Sequence, residues 1–343
     1  MKITITRPDD WHLHLRDDDA MAAVVAHSAE RFARAIVMPN LKPPVTTTEM
    51  AIAYRQRILS SLPADTRFEP LMTLYMTDRL DSEEIISAKQ SGIVKGVKLY
   101  PAGATTNSDA GVTDIQKLYP VLETMQRETL PLLIHAEVTD SDVDVFDRER
   151  VFIDRHLVAL SRSFPELPMV FEHVTTKEAI DFVRESQGRT AATITVQHLM
   201  YNRNAMLAGA IRPHYFCLPI LKRNSHQQAL IEAATSGDPR FFLGTDSAPH
   251  PQHAKECACG CAGCYTADAA IELYAEIFEQ AGSLDKLEGF SSFFGADFYG
   301  LPRNKSSITL EKQPWVVPQS YPFGKDQVIP LAAGKELQWR LVD

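Results

Sequence analysis

The chain has 343 residues, of which 45% are hydrophobic and 23% charged, and its 35 Lys and Arg against 44 Asp and Glu leave a formal charge of −9. That is the make-up of an ordinary globular protein, and with no basic cluster to follow a phosphate backbone, nucleic acid is excluded as the expected partner. The opening MKITITRPDD lacks the apolar core of a signal peptide and no apolar run nears the roughly 20 residues of a membrane span, so the expected location is the cytosol.

Short apolar runs recur in the order WHLHL (11–15), RAIVMP (34–39), FEPLMTLYM (68–76), VKGVKLYP (94–101), LPLLIHAE (130–137), MVFEHV (169–174), TAATITVQHL (190–199) and RFFLGTDSA (240–248). Each reads as a strand. Between them, stretches such as DAMAAVVAHSAERF, TEMAIAYRQRILSSL and SEEIISAKQSG repeat apolar residues at helical spacing. Eight strands alternating with helices predict an α/β fold, a TIM (β/α)8 barrel, although periodicity alone leaves an open doubly wound sheet as the alternative. With no linker, low-complexity tract or repeat, residues 1–343 are expected to form one domain.

Polar residues gather at the C-terminal ends of these strands. In the first, period-2 spacing sends His12 and His14 to one face and Trp11, Leu13 and Leu15 to the other. Lys98 lies in the fourth, His135 in the fifth, His173 in the sixth and Asp246 in the eighth. A single histidine in an apolar strand is usually a hydrogen-bonded core residue, and a single lysine usually snorkels outward. Six such residues at the same end of five strands instead point to one metal site at the barrel mouth. Imidazole and carboxylate suit zinc or a similar divalent ion, whereas an ammonium group cannot bind a cation, which makes Lys98 the anomaly.

Other residues near these ends carry weaker signals. Arg16, two residues past His14, can present a planar fork to a carboxylate beside the metals, or can pair with Asp17, Asp18 or Asp19. Asn40 follows Pro39 beyond the second strand, where it is either a mouth residue or a turn residue. Cys257, Cys259, Cys261 and Cys264 fall in CACGCAGC with no second knuckle to complete a structural zinc site, so they read as free thiols in a close-packed loop. Cys217 reads as a buried small hydrophobe.

HxH on the first strand, Lys on the fourth, His on the fifth and sixth and Asp on the eighth resembles the binuclear amidohydrolase superfamily. Within it DDWHLHLRD, MPNLKPPVTTTE, GVKLYPAGATTNSDAGV, LLIHAEVTD, FEHVTTK and FLGTDSAPH are similar to motifs of the dihydroorotase family, over about residues 2 to 335. The resemblance is to the single-domain type, because only about ten residues precede the metal motif. It implies one zinc held by His12, His14 and Asp246, a second held by His135 and His173, and an N6-carboxylated Lys98 bridging both. It also implies that Arg16, Asn40 and His250 hold a substrate carboxylate and that backbone near Leu218 and Ala262 reads the ring edge. Thr105 and Thr106 would belong to a mobile loop closing over the substrate. The implied reaction is reversible opening of the cyclic amide of dihydroorotate to N-carbamoyl-aspartate, with Asp246 as base and then acid, in a homodimer. A hydantoinase or allantoinase is the first alternative, an adenosine-deaminase-like barrel with one metal has no use for Lys98, and a non-catalytic assembly partner would have lost ligands.

Overall fold

The first strand, β1 (Lys2–Thr6), stands apart from the eight that follow: β2 (Asp9–Leu13), β3 (Arg34–Val37), β4 (Glu69–Tyr75), β5 (Val94–Leu99), β6 (Leu132–Ile134), β7 (Met169–Phe171), β8 (Thr190–Ile194) and β9 (Phe241–Leu243). The structure is a computed structural model and describes residues 1–342. Strands β2 to β9 pair in chain order, every neighbour parallel. A doubly wound sheet would reverse direction part-way, and this one does not. Its two edges meet instead: Asp246 N donates to His12 O at 2.9 Å and His14 N to Ser247 O at 3.1 Å. The Asp10 carboxylate reinforces the seam by accepting from Thr245 N at 2.9 Å and Thr245 Oγ1 at 2.6 Å. The result is a TIM barrel.

Helices fill the intervals, and their starts follow from their capping residues. Asp17 caps helix Asp18–Arg31, Thr47 caps Thr48–Ser60, and Asp81 caps Ser82–Ser91, each side chain accepting from a first-turn N–H. The same chemistry corrects one expected boundary. The run TAATITVQHL leaves the sheet at Ile194, because the Thr195 hydroxyl caps the short helix Val196–Met200.

A second correction concerns Trp11. The β2–β3 register slips between Asp10 and Leu13, so Trp11 and His12 together oppose Ile36. Such a bulge breaks the alternation of faces. Trp11 therefore joins the interior cluster of Ile36, Leu71, Leu133, Val170, Ala191 and Phe242, while Leu13 and Leu15 pack outward against the helices. The helical segment 289–298 plugs the far end of the barrel, with Ala296 in that interior cluster. A Cβ on Gly295 would fall 2.0 Å from Trp11 Nε1, so the indole lies directly on the glycine backbone.

After the barrel the chain adds β10 (Ser307–Val316), β11 (Tyr321–Phe323), β12 (Asp326–Val328) and β13 (Glu336–Leu341). β1 pairs antiparallel with β10, which pairs with β13. The buried side chains of this small sheet, Ile5, Ile308, Leu310 and Trp339, share one apolar cluster with the barrel helices. Among the described residues no helix is long and apolar enough to cross a membrane.

Candidate metal centre and substrate recess

At the C-terminal mouth of the barrel three ligand-type atoms converge. His12 Nε2 lies 3.2 Å from His14 Nε2 and 3.3 Å from Asp246 Oδ1, and His14 Nε2 is 3.1 Å from the same oxygen. His135 Nδ1 and His173 Nε2 stand 3.2 Å apart on the adjoining strands. His12, His173 and Asp246 present ligand atoms within 4.8 Å of one another. Burial pushes all four imidazoles toward the neutral form, His14 down to about 4 and His173 well below its usual range. Burial also pushes the Asp246 carboxyl up, but the facing imidazoles of His12, His14 and His173 hold it well below the ordinary carboxylate range. Neutral imidazoles around a carboxylate form a donor set for a divalent cation.

Lys98 sits at the floor of this cluster, fully buried, and its Nζ contacts Glu172 Oε2. Burial holds its amine well below the usual lysine range. Glu172 and Glu137 are functional candidates that the sequence pattern passed over. Glu172 Oε1 lies 3.1 Å from His12 Nδ1, and Glu137 Oε2 lies 2.8 Å from His135 Nε2. The Glu137 hydrogen bond fixes the orientation and tautomer of the His135 ring, whereas Glu172 places a carboxylate beside His12 without a hydrogen bond to it. Alternation would put Glu172 and His173 on opposite faces. His173, however, has φ +42°, and Asp246 has φ +45°. These left-handed residues, each costing on the order of 1 kcal/mol, turn the strand ends so that consecutive side chains reach one centre. They are held by His173 N donating to Thr193 Oγ1 at 2.8 Å and by the Asp246 N–His12 O bond at the seam. The signal was Glu beside His in FEHV and two residues from His in LIHAE.

Above the cluster lies a narrow recess lined by His12, His14, Arg16, Asn40, Thr105, Thr106, His135, His173, Leu218, Asp246 and Ala262, together with Tyr100, Ala248 and Gly263. Every expected site residue is therefore on its wall except Lys98, beneath it, and His250, behind Arg16. Arg16 does not pair with the neighbouring aspartates: its Nε donates to Pro249 O at 2.9 Å, and its Nη2 lies 2.9 Å from His250 Nε2, which is also 3.0 Å from Ala262 O. Burial together with the Arg16 charge takes His250 down to about 2, so its imidazole is neutral. Asp17 pairs instead with Arg57. Asn40 Oδ1 contacts His14 Nδ1 at 2.9 Å, and its Nδ2 donates to Thr106 O at 3.1 Å. Thr106 Oγ1 reaches Ala262 O at 3.3 Å, so the loop carrying Thr105 and Thr106 spans from one wall of the recess to the other. Cys217 and Cys264 are buried, whereas Cys257 and Cys259 are exposed, so the cysteine loop is close-packed only toward its end.

A closed parallel barrel with imidazoles, a buried lysine and a carboxylate at its C-terminal mouth defines a class of metal-dependent hydrolase, and the sequence pattern of the Amidohydrolase family matches residues 5–328: the chain belongs to that family. Within it, the chain is 64% identical over 339 residues to the dihydroorotase of Cupriavidus necator, covering 99% of this chain and 98% of that relative. Among solved structures, dihydroorotase from Campylobacter jejuni superposes with a TM-score of 0.92 at 38% identity, covering 100% of this chain and 98% of that one. Dihydroorotase from Saccharomyces cerevisiae, in complex with 5-fluoroorotic acid, superposes with a TM-score of 0.91 at 35% identity, covering 99% and 98%.

Proposed function

We propose that the protein is a dihydroorotase, a metal-dependent cyclic amidohydrolase that interconverts dihydroorotate and N-carbamoyl-aspartate in pyrimidine biosynthesis. The observation that carries this reading is Arg16, held by Pro249 O and His250 on the wall of the same recess into which His12, His14 and Asp246 converge. A cyclic amide with a carboxylate on the ring suits that pairing, whereas a hydantoin without one leaves the guanidinium unanswered. The likeness in sequence to dihydroorotases supports the same choice.

The residues fit two zinc ions: His12, His14 and Asp246 would hold one, His135 and His173 the other, and an N6-carboxylated Lys98 would bridge them. Three acceptor-type atoms within 3.3 Å of each other, on groups held neutral or anionic, favour a cation between them. A lysine held neutral by burial is the form that adds carbon dioxide, and the N–H left on its carbamate can still donate to Glu172. When bound, such ions supply Lewis acidity and bring the pKa of a water to roughly 7.

The chain's own groups do the rest. Asp246, ionised at neutral pH, accepts a proton from the attacking water and returns it to the ring nitrogen that departs. Arg16, Asn40 and His250 orient the substrate carboxylate, the backbone at Leu218 and Ala262 meets the ring edge, and the Thr105–Thr106 loop excludes water. The same reading takes the chain as a single-domain cytoplasmic protein that works as a homodimer. Metal analysis of the purified protein together with a dihydroorotate hydrolysis assay tests it: two metals per chain with turnover are expected. Two metals without turnover would remove the substrate assignment and leave the family.

A further inference from the structure

Cys257 and Cys259 lie on an exposed turn at the rim of the recess, with their Sγ atoms 3.4 Å apart. Neither belongs to the metal centre or the recess wall. The turn is closed by Gly260 N donating to Cys257 O at 3.1 Å, and Cys261 N continues it by donating to Ala254 O at 2.9 Å. We propose that Cys257 and Cys259 form a reversible dithiol–disulfide couple whose reaction partner is a small-molecule disulfide.

Two features distinguish this pair from exposed cysteines in general. The first is proximity: the two sulfurs lie 3.4 Å apart on exposed side chains, against roughly 2.05 Å in a covalent bond. The second is asymmetry. The Cys259 thiol and the Gly260 and Cys259 amides pull the Cys257 thiol down from its usual range, while Cys259, facing that thiolate, is pushed up. Cys257 is thus the attacking thiolate and Cys259 the resolving thiol. Cys257 S⁻ displaces one thiolate from the small disulfide and forms a mixed disulfide. Cys259, losing its proton to solvent, then attacks the Cys257 sulfur and expels the second thiolate. One small disulfide is reduced to two thiols as the protein pair loses two electrons. A ring this small and exposed falls among disulfides that are readily reduced, so the couple rests reduced and oxidises only when the thiol pool does.

The turn is joined to the recess by very little chain. Lys255 Nζ gathers the carbonyls of Phe216, Cys261 and Gly263 at 2.8, 2.8 and 2.7 Å, and between the last two stands Ala262, whose carbonyl receives Thr106. Tightening residues 257–259 therefore pulls on the strip that seats the loop over the substrate.

The test uses the metal-loaded protein, equilibrated with glutathione disulfide and mapped by peptide mass spectrometry. The expected product lacks two of the five free thiols, is two hydrogens lighter, carries a Cys257–Cys259 link, and is restored by dithiothreitol. Cys259→Ser should stop at a glutathione adduct on Cys257, and Cys257→Ser should form no ring. A stable glutathione adduct on wild-type Cys257, a link to Cys261, or no reaction would overturn the couple. A second arm rests on the proposed activity: oxidised wild type should show a severalfold higher KM for dihydroorotate with unchanged metal content, and Cys257→Ser should not. An unchanged KM overturns the link to the recess, and because the thiol map needs no turnover, it stands apart from any failure of the activity itself.

Discussion

Asp246 meets two demands at the scale of a single residue: it offers Oδ1 to the point shared by His12 and His14, and its left-handed backbone closes the barrel seam through His12 O. Asp246→Asn keeps the shape and a side-chain oxygen but removes the proton acceptor proposed above. Turnover is expected to fall by several orders of magnitude with much of the metal retained. Metal content measured beside kcat checks this, and near-normal kcat would move the proton transfer to another group. Arg16 makes a separate prediction about substrate. Arg16→Met leaves a substrate carboxylate uncompensated in a partly desolvated recess, costing about 3 kcal/mol, or roughly a hundredfold in kcat/KM on dihydroorotate. On uncharged dihydrouracil the variant and wild type should be equally poor, with bound metal unchanged. Equal harm to both substrates would reduce Arg16 to a structural residue that positions His250.

At the scale of elements, the bulge in β2 couples packing to chemistry, because Trp11 and His12 share one side of a strand where alternation would separate them. Trp11 stacks on Tyr299 with ring centroids 4.7 Å apart and lies across Gly295. Gly295→Ala forces the indole to move and is expected to destabilise the fold by about 1–3 kcal/mol, a fall in Tm of several degrees; an unchanged Tm would mean the plugging segment shifts freely. The eight barrel strands and the six strand-end residues were readable in the sequence because apolar runs and isolated polar residues are both local signals. The bulge was not, since it depends on pairing with Ile36, and for the same reason Trp11 was assigned the wrong face. Glu172 and Glu137 were hidden because a left-handed turn at His173 and a neighbouring strand bring them into line. β10 and β13 were missed because SITLEKQPWV is charged and half exposed, its burial arising only when β1 and the helices cover the other face.

Taken whole, the molecule ties its C-terminal extension to its beginning at several points. Arg31 forks Glu272 at 2.8 and 3.0 Å, joining helix Asp18–Arg31 to helix Ala270–Gln280. Asp268 is buried between this pair and Tyr321 of β11. Burial raises its carboxyl to about 7, with Glu272 adding to the rise and Arg31 opposing it. In the unfolded chain the same group titrates near 4. Between these values the folded state holds the extra proton, so this contribution to stability is complete below about pH 4 and is lost as pH climbs through 7. Asp268→Asn should remove that slope, with a melting temperature at pH 8 above wild type relative to the difference at pH 5. A difference that does not change with pH would mean the site is already ionised when folded. The seam between β2 and β9 has a consequence for synthesis. Asp10 and Thr245 bond across 235 residues of chain, so the strand carrying His12 and His14 leaves the ribosome first and waits as an open edge for the last strand. At about 5–20 residues per second the wait is on the order of ten seconds or more. Throughout it the two histidines are exposed without the carboxylate that later confines them. During that interval the nascent chain is open to stray metal ions and to edge-to-edge association, hazards that end when the final strand docks.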